Sequence, residues 1–203
     1  MNKDELSKKI KDAQSKNDIN DIVNEIMATP IPWFFTNEFP NSAISKYQEF
    51  KTYMAGVFDI PPTDVFICGS ALLGFSLSPE KNFSDFNVES DIDIVIIKKK
   101  LFESYWKQFF EDYVFSDLTG IPYTRTAKNI FKHFIDFHYD YTSNLALYKE
   151  WEKKTSGYIK DLQIKFNFPE KISYRIYSSY DDYKQNLIKT IYDIKNPYIK
   201  EGE

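Results

Sequence analysis

Two aspartates separated by one residue, Asp91 and Asp93, open the run Asp91-Ile92-Asp93-Ile94-Val95-Ile96-Ile97 in this chain of 203 residues. On an extended strand alternate side chains share a face, so the two carboxylates stand together, about 6–7 Å apart at Cα. Ile92, Ile94 and Ile96 then line the other face. A carboxylate pair of this kind suits a divalent cation that prefers oxygen ligands and leaves positions open for phosphate oxygens. Without a cation the two like charges are predicted to repel, the more so as the local dielectric falls. Upstream, the apolar run Val65-Phe66-Ile67-Cys68 meets Gly69-Ser70. Gly69 lacks a Cβ and lets the backbone approach a phosphate closely. Ser70 offers a hydroxyl and a main-chain N–H at a helix start, where anions are favoured. Either feature alone says little, because solvated strand ends often carry acidic pairs. Their combination, each on the appropriate element, is informative.

A strand ending in Gly-Ser, then a second strand opening Asp-x-Asp, resembles the nucleotidyltransferase superfamily that includes DNA polymerase β and the cGAS-like synthases. The resemblance rests on Ile67-Cys68-Gly69-Ser70 and Ser90-Asp91-Ile92-Asp93-Ile94-Val95-Ile96 and covers roughly residues 65–97. It implies Asp91 and Asp93 as catalytic, metal-binding residues, with Mg²⁺ or Mn²⁺ as cofactor, and Gly69 and Ser70 as nucleotide-binding residues. The implied donor is a nucleoside triphosphate such as ATP, and the acceptor of the NMP is a protein, an RNA or a small molecule. Small stand-alone members act in toxin–antitoxin or phage-defence settings, an analogy drawn from the resemblance alone. The interval from Ser70 to Asp91 is longer than the family pattern, and a loop over 78–90 absorbs the excess. The resemblance also implies a third carboxylate on a neighbouring strand, flanked by apolar residues. Ile135-Asp136-Phe137 fits that wording, unless the segment is a helix with Phe131, Phe134, Ile135 and His138 inward and Asp136 solvated. Asp161 and Glu89 are the other candidates. A chain with no third carboxylate would be a catalytically degenerate fold acting as a binding or antitoxin-like protein.

Other chemistry-bearing residues read as structural. Lys98, Lys99 and Lys100 follow the Asp91–Ile97 strand, whose rise carries them about 20 Å from the aspartates. Arg175 shares a strand face opposite Ile172 and Ile176 and reads as a surface residue. It would reach a triphosphate only if its strand joined the sheet beside the aspartates. His133 and His138, five apart, share neither a helix nor a strand face, which argues against zinc. Cys68, the single cysteine, reads as core filler, and no intrachain disulfide can form.

The expected fold is α+β: a nucleotidyltransferase-type small mixed sheet, helices packed on one side, and an N-terminal helical extension. The extension covers residues 1–60 and the nucleotidyltransferase-like domain 61–203, as one compact unit. Leu6, Ile10, Ile19, Ile22, Val23 and Ile26 recur at helical spacing, predicting two helices over 3–28 broken near Asn17–Asp18. The proline-rich stretch 29–42 is expected to be irregular and pinned to the core by Trp33, Phe34 and Phe35. A helix capped by Ser42 runs to about Phe58. Phe102, Tyr105, Trp106, Phe109, Phe110 and Tyr113 mark another. The stretch 116–160 is ambiguous, 161–168 and 171–178 read as strands, and Ser179 to about Ile194 reads as a closing helix.

Bulk composition sets outer limits. Hydrophobic residues make up 42% and charged residues 28%, as in ordinary globular proteins, and 18 Phe with 15 Tyr can build a large core. The net charge of −4 lacks the basic surplus of a duplex nucleic-acid binder. The N-terminus is charged where a signal peptide is apolar, and the longest uncharged run, between Asp64 and Glu80, is too short and polar to span a bilayer. These features predict a cytoplasmic protein without a membrane partner.

Overall fold

The structure, a computed structural model, describes residues 2–115, 121–137 and 146–196. The chain opens with helices α1 (Lys3–Asp12) and α2 (Lys16–Met27). The break falls at Ala13–Ser15, earlier than the expected Asn17–Asp18. Ser15 and Asp18 form a reciprocal capping box there and start α2. Residues Trp33–Glu38 form a short helix, α3, inside the stretch expected to be irregular, and Phe34 and Phe35 are buried from it. Helix α4 (Ala43–Phe58) ends on Asp59 in the left-handed region.

Strand β1 (Val65–Cys68) leads through Gly69 into a single helical turn, α5 (Ser70–Leu73). Strand β2 (Ile92–Ile97) and helix α6 (Lys99–Phe115) follow. The ambiguous stretch resolves into α7 (Ile121–Phe131), β3 (Phe134–Phe137) and α8 (Ala146–Thr155). Asp136 therefore sits on a strand, and the helical alternative for it is overturned. Helix α9 (Ile159–Phe166), strand β4 (Ile172–Tyr177) and helix α10 (Tyr180–Lys195) close the chain. The strand expected over 161–168 is the helix α9. Leu162 and Phe166, four apart, are buried while Ile164 between them is exposed, a helical face rather than a strand face.

The sheet order is β1-β2-β4-β3. β1 and β3 are the antiparallel outer strands, and β2 and β4 run parallel in the middle. One face carries Ile92, Ile94 and Ile96 with Ile67, Ile135, Tyr174 and Ile176, and packs on aromatics from α3, α4, α8 and α9. The other carries Val95, Ile97, Cys68, Phe134 and Tyr177, and packs on α1, α2, α5 and α10. Helices thus cover both faces, which corrects the expectation of helices on one side. The cause lies in β2, where all six residues are buried, so each face needs a cover. Residues 1–60 supply both layers: α1 and α2 on one face, α3 and α4 on the other.

Helix α6 buries Phe102, Tyr105 and Phe109 but exposes Trp106, Phe110, Tyr113 and Phe115, so four of its seven aromatics are not core. Lys98 donates to the main-chain carbonyls of Phe58 (2.6 Å) and Asp59 (3.2 Å), closing the C-terminus of α4. No helix among the described residues is long and apolar enough to cross a membrane.

Phe35, Phe50, Phe166 and Phe168 form an edge-on and tilted ring cluster beneath the sheet. Phe50→Ala should cost about 3–5 kcal/mol in urea unfolding. Phe131→Ala, at a side chain 86% exposed, should change stability by less than about 0.5 kcal/mol.

Candidate functional site

The second sheet face is apolar only over half its length. Toward the starts of β2 and β4 it becomes polar, because period-2 alternation puts Asp91 and Asp93 in line with Val95, and Ser173 and Arg175 in line with Tyr177. β3 adds Asp136, the register partner of Arg175. β4 thus joins the sheet beside the aspartates, the condition under which Arg175 would reach the site, and β3 lies one strand further out.

Asp91 remains partly exposed, and the Ser173 hydroxyl donates to its Oδ2 at 3.1 Å. Asp93 is only 8% exposed. Arg175 Nη2 lies 3.1 Å from Asp93 Oδ1, a contact of opposite charges outside hydrogen-bond alignment. The negative charge of Asp93, more than any other neighbour, holds Arg175 protonated. The predicted repulsion between Asp91 and Asp93 is therefore offset by a cation on the adjacent strand. Asp136, 6% exposed, receives Arg125 from α7 at 3.0 Å on Oδ2. Its Oδ1 and the Nε of Arg175 are buried with no hydrogen-bond partner among the described residues.

Gly69 closes the site from the β1 side. Its φ of +67° and ψ of −148° belong to a region that residues with a Cβ avoid. A Cβ there would stand 2.6 Å from Asp93 Oδ2, so the loop backbone lies against the buried aspartate. Ser70 follows, half-buried, as the first residue of α5. The loop beyond is folded back by hydrogen bonds Phe86 N–H to Gly74 O (2.8 Å) and Ser76 N–H to Ser84 O (2.8 Å). Trp33 packs directly on Gly74, where a Cβ would meet its ring at 2.8 Å. Helix α3 thereby anchors the turn that carries Gly69 and Ser70.

The remaining candidates lie elsewhere. Glu89 is exposed and paired with Lys171 at 2.6 Å. Asp161 sits on α9, in the layer across the sheet, and accepts from the Tyr53 hydroxyl at 2.8 Å. His133 pairs with Asp182 at 2.9 Å, and His138 lies outside the described residues. No group of three His, Cys, Asp or Glu able to hold a metal occurs among the described residues. Ser173 and Arg125 were not singled out in the sequence, and Arg175 read as surface. A usable signal existed for Arg175: a cation on a strand flanked by Ser173 and Tyr177 needs a buried counter-charge.

These features define an α+β protein with a mixed four-stranded sheet and a carboxylate–guanidinium cluster at one end of it. The chain matches no protein-family model, no curated protein and no solved structure.

Gly69→Ala should destabilise the fold by about 1–3 kcal/mol through backbone strain and displacement of Asp93. Gly56→Ala, in α4 with open space around it, should instead stabilise by about 0.5–1 kcal/mol. Urea titrations of both variants read the contrast. Burial pushes the Cys68 thiol well above its ordinary range, with Arg175 opposing only in part. Native protein at pH 8 should therefore resist thiol reagents that label the urea-unfolded chain within minutes.

Proposed function

We propose that the polar end of the sheet is a nucleotidyl-transfer site that moves an NMP from a nucleoside triphosphate to an acceptor hydroxyl. The observation that carries this reading is the seating of Gly69 against Asp93. The Gly-Ser turn and the Asp-x-Asp strand, distant in the chain, meet at one end of one sheet face.

Asp91 and Asp93 fit one divalent cation: two carboxylates on one strand face, with other positions left to phosphate oxygens and water. When bound, that cation supplies Lewis-acid stabilisation of the phosphoryl oxygens and of the leaving pyrophosphate. The chain's own groups do the positioning. Gly69 admits a phosphate to main-chain distance, and Ser70 offers its hydroxyl and N–H to it. Ser173 holds the Asp91 carboxylate in place through its hydroxyl. In the transfer the acceptor oxygen bonds to the α-phosphorus as the bond to the bridging oxygen of the β-phosphate breaks. The acceptor's proton is released and pyrophosphate departs.

A second reading has one observation in its favour. The strand beside the aspartates, β4, carries Ser173 and Arg175 on their face and no carboxylate, while Asp136, which fits the third-carboxylate pattern, lies one strand further on and is paired with Arg125. A fold that binds nucleotide without turnover would carry such an arrangement.

Incubation with α-labelled NTPs, Mg²⁺ or Mn²⁺ and cell extract should move label onto protein or RNA. Asp91→Ala with Asp93→Ala should lower transfer at least a hundredfold while circular dichroism stays native. Residual transfer within tenfold of wild type would refute the assignment of these two residues. Saturable nucleotide binding with no transfer to any extract fraction would favour the binding protein.

A further inference from the structure

Divalent-ion sites for phosphoryl chemistry often hold two cations, each bridged by carboxylates. Here the second cationic position has a resident. Arg175 projects from β4 between the β2 aspartates and Asp136 on β3, with Val95 and Asp136 as its register partners on either side. Its guanidinium meets Asp93 at 3.1 Å. A fixed positive charge therefore already sits among the carboxylates that would bind a second ion. The donor set agrees, since Asp91 and Asp93 are the carboxylates on the β2 side of it and no three-residue metal group forms among the described residues. Asp136, the acid that could otherwise complete such a group, is engaged by Arg125 on Oδ2.

The guanidinium also has unused capacity. Arginine carries five donors in a planar fork suited to paired phosphate oxygens. Arg175 Nε has no hydrogen-bond partner among the described residues, and the Asp93 contact is not aligned as a hydrogen bond. A buried donor in that state gains by donating to an anionic oxygen. Asp136 Oδ1, likewise without a hydrogen-bond partner among the described residues, provides an acceptor on the far side that can hold the fork as it turns.

We propose that Arg175 is a phosphate-binding residue that takes the place of a second metal ion, so that the site works with one divalent cation and one guanidinium. This rests on the nucleotidyl-transfer reading of the same site. Arg175 neutralises Asp93 in the nucleotide-free protein and pairs with a triphosphate oxygen once nucleotide enters. Its charge, unlike that of an ion, cannot be removed by chelation.

The test counts Mn²⁺ by electron paramagnetic resonance as it is titrated into protein saturated with the α,β-methylene analogues of the four nucleoside triphosphates. Wild type should bind one Mn²⁺ per nucleotide-loaded chain. Arg175→Met should weaken binding of the preferred analogue about ten- to a hundredfold, the loss expected for charged hydrogen bonds. Arg175→Lys should recover part of that loss by keeping charge without the fork. Two Mn²⁺ per wild-type chain would overturn the proposal while leaving nucleotidyl transfer standing. Unchanged nucleotide affinity in folded Arg175→Met would overturn it too. Should that variant fail to fold, the wild-type stoichiometry decides alone. Failure of all four analogues to bind wild type would instead remove the nucleotidyl-transfer reading itself, and this proposal with it.

Discussion

Strand β2 runs through the middle of the sheet, hydrogen-bonded on both edges and covered by helices on both faces. Such a position favours Val and Ile, and a lone carboxylate there would cost several kcal/mol in lost hydration. Asp93 occupies it nonetheless, and Arg175 on β4 offsets the cost by bringing the opposite charge to 3.1 Å. The pairing works in both directions, since a half-buried guanidinium also needs its counter-ions. Much of the rest follows. A one-residue slip between β2 and β4 would turn Arg175 to the apolar face with Ile94 and Ile96, turn Tyr174 and Ile176 to the polar one, and separate Arg175 from Asp93. Register, strand order and the charge of the cluster are thus one constraint rather than three.

The two helical layers meet the cluster differently. The layer formed by α1, α2, α5 and α10 covers Val95, Ile97 and Tyr177, beyond which the face turns polar at Asp93 and Ser173. The opposite layer is complete and rich in rings, with Phe34, Phe35, Phe50 and Phe168 in mutual contact. Aromatic contacts of this density make a stiff base. Through Trp33, the same layer reaches round to the Gly74 turn and fixes the approach of Gly69 to Asp93. The helix that looked irregular in sequence, α3, is therefore part of what positions the site.

The two functional readings differ over a single strand. A third carboxylate on the strand beside the aspartates would speak for the usual metal-bridging arrangement, and a strand that carries Ser173 and Arg175 speaks either for loss of turnover or for a different division of charge. Arg175 has a counter-ion on one side, a buried acid on the other, and its Nε without a hydrogen-bond partner among the described residues. A cation merely tolerated on a central strand would be expected to use its donors fully.

Local pattern by itself determined the elements whose signal lies between near neighbours. β1, β2 and β4, the helices of residues 3–27 and the closing α10 follow from apolar spacing and capping, and the pairing of Asp91 with Asp93 on one face follows from period 2. The same pattern failed at α9, where a short apolar run serves helix and strand equally until burial decides between them. It failed also for the cover of the sheet and for the aromatics of α6, because which face is buried depends on what arrives from elsewhere in the chain. Asp91, Asp93, Gly69 and Ser70 could be picked out as residues of a site. That Arg175, Ser173 and Asp136 join them was decided only by tertiary structure. The β4 pairings in the order β1-β2-β4-β3 bring together segments some forty to eighty residues apart, a non-local pairing driven by burial of two sheet faces that no local rule encodes.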